Sequence, residues 1–141
     1  MAKQGFLFAV LAALAWGLAP LFAKVGLVRT SPLAGVTVRS IAVTTVVIVT
    51  VLVSGHYKVL ATIEPGALVV LVLEGFLGGL IGQYFYFKAI KSLAASTVVP
   101  IVGAYPLFTF LLAVVLLSEK VTVAKSVGVL LVVSGIIFLG L

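Results

Sequence analysis

The chain has 141 residues, of which 64% are hydrophobic and 9% charged, with a formal net charge of +6. A water-soluble domain of that size cannot hide so much apolar surface, so its solvent is a bilayer. The nine Lys and Arg stand singly, mostly where apolar runs end, which argues against a nucleic-acid partner, and with no Cys and one His neither thiol chemistry, a Cys/His metal site nor a cofactor is expected.

An apolar run from Gly5 to Ala23 follows Met-Ala-Lys-Gln. It has the charged start of a secretory signal peptide, but it runs on too far and is followed by equally apolar segments, so it reads as a first membrane helix over about 5–28. Trp16 lies near its midpoint, whereas tryptophan favours the interface, and Pro20 removes a backbone hydrogen bond one turn later. A kink there, with Trp16 lining a cavity, is the expectation. Ser31-Pro32 is a helix start, Ser as N-cap and Pro at the first helical position, and opens a second helix over 32–53. Arg39 lies about 10 Å along it, within snorkelling reach of the interface or turned to a polar interior.

A loop from Ser54 to Gly66 carries His56, read as a solvated surface residue. The third helix, about 66–87, contains Glu74 well below the headgroups, where an ionisable group is costly and marks a functional site by default. Two overlapping spacings, Gly75-xxx-Gly79 and Gly78-xxx-Gly82, suit close approach of another helix. The fourth helix, about 93–117, is interrupted by Pro100 and Pro106, and broken helices of this kind line cavities in transporters. Tyr105 then sits near the bilayer centre with a ring face and a hydroxyl to offer. The fifth helix, about 123–141, uses Gly128 and Gly135 as packing positions. No stretch is polar and long enough for an extramembrane module, so a single all-α domain over 1–141 is expected.

Five crossings put Lys3, Lys58, Lys120 and Lys125 on one side and Lys24, Arg29, Lys88 and Lys91 on the other, with Arg39 deeper. Such balance gives no orientation bias, and a chain inserted both ways round can form an antiparallel homodimer, the two-chain counterpart of an inverted repeat.

Several short pieces occur in a definite order. Trp16-Gly17 and Lys24 lie in the first helix and Arg39 in the second. Gln83-Tyr84-Phe85-Tyr86 with Lys88-Ala89 closes the third, and Ser96 to Pro100 opens the fourth. Tyr105-Pro106, Ser118-Glu119 and the glycines of the fifth complete the series. Together they resemble the EamA domain of the drug/metabolite transporter superfamily over essentially the whole chain. The resemblance implies a multi-pass protein, expected in a prokaryotic plasma membrane. Members usually fuse two five-helix repeats in opposite orientation and move small metabolites, amino acids or drugs through a cavity between them. One repeat would need a second, inverted copy. The related small multidrug transporters carry a carboxylate in their first helix, and this first helix has none, so their chemistry does not pass to Glu74 by position. Glu119 matches the family's acid after the fourth helix, where it caps or pairs at the interface.

The expected function is therefore secondary transport, in the exporting direction, of small metabolites or amphipathic or cationic solutes by alternating access. Trp16, Arg39, Glu74, Tyr84 and Tyr105 are the candidate substrate-binding residues. Pro20, Pro100 and Pro106 supply kinks, and Gly75, Gly78, Gly79, Gly82, Gly128 and Gly135 pack helices. A lone buried Glu74 is suited to proton coupling, whereas pairing with Arg39, about 8 Å away along the axis, would keep it ionised. Flipping of a lipid-linked substrate and a non-transporting assembly subunit are the alternatives. An enzyme is not expected, since no paired carboxylate, Ser/His or Ser/Lys arrangement is present.

Overall fold

A computed structural model describes residues 2–140, with side chains for residues 4–138; Met1, Leu141 and the Lys3 side chain lie outside the described residues. No strand occurs among them. The helices are α1 (Ala2–Gly26), α2 (Pro32–Val53), a short α3 (Tyr57–Leu60), α4 (Pro65–Glu74), a π-helical segment (Gly75–Gly82), α5 (Gln83–Ser92), α6 (Ala95–Val102), α7 (Tyr105–Leu116) and α8 (Val123–Gly140). Four stretches are long and apolar enough to cross a membrane: Gln4–Gly26, Pro32–Val53, Pro65–Ser92 and Ala95–Leu116. The shortest, 22 residues, spans about 33 Å. With its 18 residues α8 reaches about 27 Å, close to the ~30 Å hydrocarbon thickness. The chain is thus an all-α, multi-pass membrane protein with four to five spanning helices. At most 6% of any of the four stretches is buried within the chain, so lipid or another protein must cover the rest.

The chain forms two compact units, Met1–Ser92 and Leu93–Leu141. In the first, the end of α1, the start of α2 and the end of α5 meet. Leu27, Val36, Phe87 and Ile90 are buried there, Ile90 completely. Gly35 makes the approach possible, because a methyl group on it would stand 2.7 Å from Leu27 Cδ2 and 3.1 Å from the Phe87 ring. Two lysines tie the same end together. Lys24 Nζ donates to the Ile90 carbonyl at 2.7 Å and Lys91 Nζ to the Thr30 carbonyl at 2.7 Å. Lysines near helix C-termini meet carbonyls that lack intrahelical partners and favour the negative end of the dipole. The start of α2 has the expected cap: Ser31 Oγ accepts from the Ala34 N–H at 3.2 Å and Pro32 opens the helix.

In the second unit α6 and α7 both pack on α8. Here the apolar stretch is broken, not merely bent. α6 ends at Val102, Gly103 and Ala104 form a turn, and α7 restarts at Tyr105. Ala104 N–H donates to Ile101 O at 3.1 Å, a tightened final turn. Pro100 and Pro106 withhold the donors that would meet the Ser96 and Val102 carbonyls. The glycine is required where it stands, since a methyl on Gly103 would lie 3.0 Å from the Pro100 carbonyl oxygen.

A candidate solute groove beside Arg39

Beyond the packed end, the facing sides of α2 and the third stretch no longer fill the space between them. A groove of about 540 Å³ opens there, within the range of small-molecule sites. α2 supplies Arg39, Ser40, Val43 and Thr44 to it. The opposite wall is Val72, Gly75, Phe76, Gly79 and Leu80, from α4 and the π segment. A methyl group at Gly75 or Gly79 would meet no neighbouring atom within 4 Å, so these glycines leave that wall low.

The polar atoms of the groove differ from those elsewhere on α2. Thr37, Thr45 and Thr50 satisfy their hydroxyls on the carbonyl four residues back, at 2.9, 2.8 and 2.8 Å. Ser40 and Thr44 make no such bond among the described residues, and neither does the Arg39 guanidinium. The free donors of the helix are those facing the groove.

Of the residues singled out from sequence, Arg39 lies on this groove. Glu74 ends α4 at the junction with the π segment and does not line it. The Glu74 carboxylate lies over Gly78, with Oε1 3.4 Å from where a methyl there would be, and it forms no ion pair with Arg39. The one ion pair among the described residues joins Lys125 to Glu119 at 3.1 Å, both about half exposed. Tyr84 is partly buried, its ring edge-on to Phe85 at 5.7 Å, and does not line the groove. Trp16 is 68% exposed on α1, away from the groove, and Pro20 is buried in a helix that runs unbroken through it. Tyr105, in the other unit, is 56% exposed at the start of α7. Gly128 and Gly135 face open space. Among the described residues no group of three or more His, Cys, Asp or Glu is placed to hold a metal.

Ser40 and Thr44 were not singled out from sequence. Their signal was present: they are four residues apart and so share a face of α2 beside Arg39.

The helical segments, their order and their apolar faces agree with one further finding. Residues 3–141 match the EamA-like transporter family. The chain belongs to that family. This EamA-like chain is therefore a multi-pass member of a transporter family within the drug/metabolite transporter superfamily. Neither the search of curated proteins nor that of solved structures returns a match.

Proposed function

We propose that this EamA-like chain is a secondary transporter that exports small amphipathic solutes by alternating access, as an antiparallel homodimer in a prokaryotic plasma membrane. The observation that carries the reading is the groove itself, with free polar groups on α2 facing an apolar wall lowered by Gly75 and Gly79. A single copy leaves that groove open along helix faces, and a second inverted copy closes it over a solute. The even split of lysines and arginines between the two sides supports insertion both ways round. The bare faces at Gly128 and Gly135 give a second copy places to approach closely. Exposed ring faces on Trp16 and Tyr105 suit solutes with flat apolar parts.

The sequence is free of cysteine, so a single Ala2→Cys substitution gives a clean label. Reaction with an impermeant maleimide from both faces of the membrane, and cross-linking between copies, is the expected result. Labelling from one face alone removes the antiparallel pair. Flipping of a lipid-linked substrate is the second reading, favoured because the groove is open and its wall on the third stretch is apolar. Vesicles that scramble labelled lipid but move no soluble solute would establish it. Reproducible copurification of a different membrane chain, with no flux of either kind, would instead identify an assembly subunit.

A further inference from the structure

We infer that the groove is an anion site and that its ligand is an amphipathic anion, a carboxylate or phosphate head on an apolar body. This rests on the transporter reading for its purpose but not for its chemistry. The groove holds one ionised side chain, the Arg39 guanidinium, and the membrane's acid, Glu74, stands off its wall. The groove therefore carries positive charge, and within a bilayer an unneutralised guanidinium is costly. An anionic head removes that cost. A planar fork of N–H donors matches carboxylate and phosphate oxygens in pairs, with short charge-assisted bonds. Ser40 and Thr44 add two hydroxyl donors beside it, both free of the back-bonding that occupies Thr37, Thr45 and Thr50.

The rest of the groove selects the body of the ligand. Val72, Phe76 and Leu80 present apolar side chains, and at Gly75 and Gly79 an apolar chain can lie against bare backbone. A cation finds no partner there: it meets Arg39 as a like charge and no carboxylate on the wall. Of the small metabolites and amphipathic or cationic solutes expected from sequence, this groove suits the amphipathic ones that carry negative charge. Both a lipid headgroup and a soluble organic acid have the required chemistry.

The test uses the whole chain in phosphatidylcholine nanodiscs with three probes of matched shape: 4-phenylbutyrate, 4-phenylbutylammonium and 4-phenylbutanol. Saturable thermal stabilisation by the anion, and none by the cation, is expected. Arg39→Gln should weaken anion binding at least about tenfold, the loss of a charge-assisted contact, with Arg39→Lys in between. Thr44→Val, which removes only a hydroxyl, should weaken it about two- to tenfold and serves if Arg39→Gln does not fold. Stabilisation by the cation equal to that by the anion, or anion affinity unchanged within about twofold in both Arg39→Gln and Thr44→Val, overturns the inference. Competition by phosphatidylglycerol assigns the natural anion to a lipid headgroup, and its failure to compete assigns it to a soluble acid; both uphold an anion site. Flux is measured separately in vesicles. Arg39-dependent binding without flux would end the transporter reading and keep the site, whereas flux of the cation without anion binding would end the site and keep the transporter.

Discussion

Gly35 shows most directly how single residues set the geometry of the first unit. It sits on α2 where Leu27 and the Phe87 ring press in, at 2.7 and 3.1 Å from any added methyl. Leu27 and Phe87 are themselves 2% and 7% exposed, so neither has room to retreat. Gly35→Ala gains up to ~1 kcal/mol of helix propensity but incurs overpacking of about 1–3 kcal/mol, and Gly35→Val a larger net loss. Unfolding in detergent should therefore show a small net destabilisation for Ala and a clear one for Val. Gly17, which meets no neighbouring atom within 4 Å, should tolerate Ala or gain up to ~1 kcal/mol. Lys24→Met removes the donor to the Ile90 carbonyl and should cost about 1–2 kcal/mol in the same measurement. None of this was legible in the sequence. A lone glycine in an apolar helix carries no pattern, and the lysines read only as interface markers, not as bonds to specific carbonyls. Ser31-Pro32 was legible, because capping chemistry is local and needs no tertiary partner. For the groove, Arg39 stood out as a charge in an apolar run. The spacing of Ser40 and Thr44 put them on one face beside it, but did not show that their hydroxyls stay free while those of Thr37, Thr45 and Thr50 are occupied.

At the scale of elements, the apolar runs show where the helices lie but not how each is wound. The apolar run of the third stretch ends at about 87; helical geometry continues to Ser92, and Lys91 donates to the Thr30 carbonyl from within that last turn. The overlapping glycine spacings from Gly75 to Gly82 read as packing motifs, yet the same residues are π-helical. There the Leu77 carbonyl, five residues back, stands 3.1 Å from a methyl on Gly82. In the fourth stretch the prolines announced an irregularity, and Gly103 decides that it is a break. Gly103→Ala places a methyl against the backbone carbonyls of Pro100 and Val99, at 3.0 and 3.2 Å, which cannot swing aside as a side chain does. We expect a loss of about 1–2 kcal/mol in thermal unfolding despite alanine's better helix propensity.

Across the whole molecule, the balance of charge and the exposed apolar helices act together. On the five-crossing reading the lysines and arginines fall four and four on the two sides with Arg39 deeper, and the spanning stretches are left uncovered by their own chain. Moving the charge balance should therefore fix the orientation. Adding two lysines after Ala2 is expected to bias insertion towards one face, abolish two-sided labelling of Ala2→Cys and lower flux together with antiparallel cross-linking. Retained flux in a population shown to insert one way would separate transport from the antiparallel pair. The apolar composition made the solvent and the all-α, multi-pass class readable; of the five crossings expected, four stretches are long and apolar enough to span and the last helix is shorter. The groove was not, because it depends on where two helices stop touching, and periodicity has no term for that.

The π segment also bears on how the chain tolerates errors of length. A stretch wound with hydrogen bonds five residues apart takes up more residues per turn than an α-helix, so Gly75–Gly82 holds spare chain between α4 and α5. Deleting Gly78 lets the segment rewind towards α geometry while Lys91 and Phe87 keep α5 at its station. α2 has no such slack. Deleting Val38 turns everything beyond it by about 100° and carries Arg39 off its face. The yield of folded protein should survive the first deletion far better than the second, making the third stretch the place where this fold can lose a residue and still close on itself.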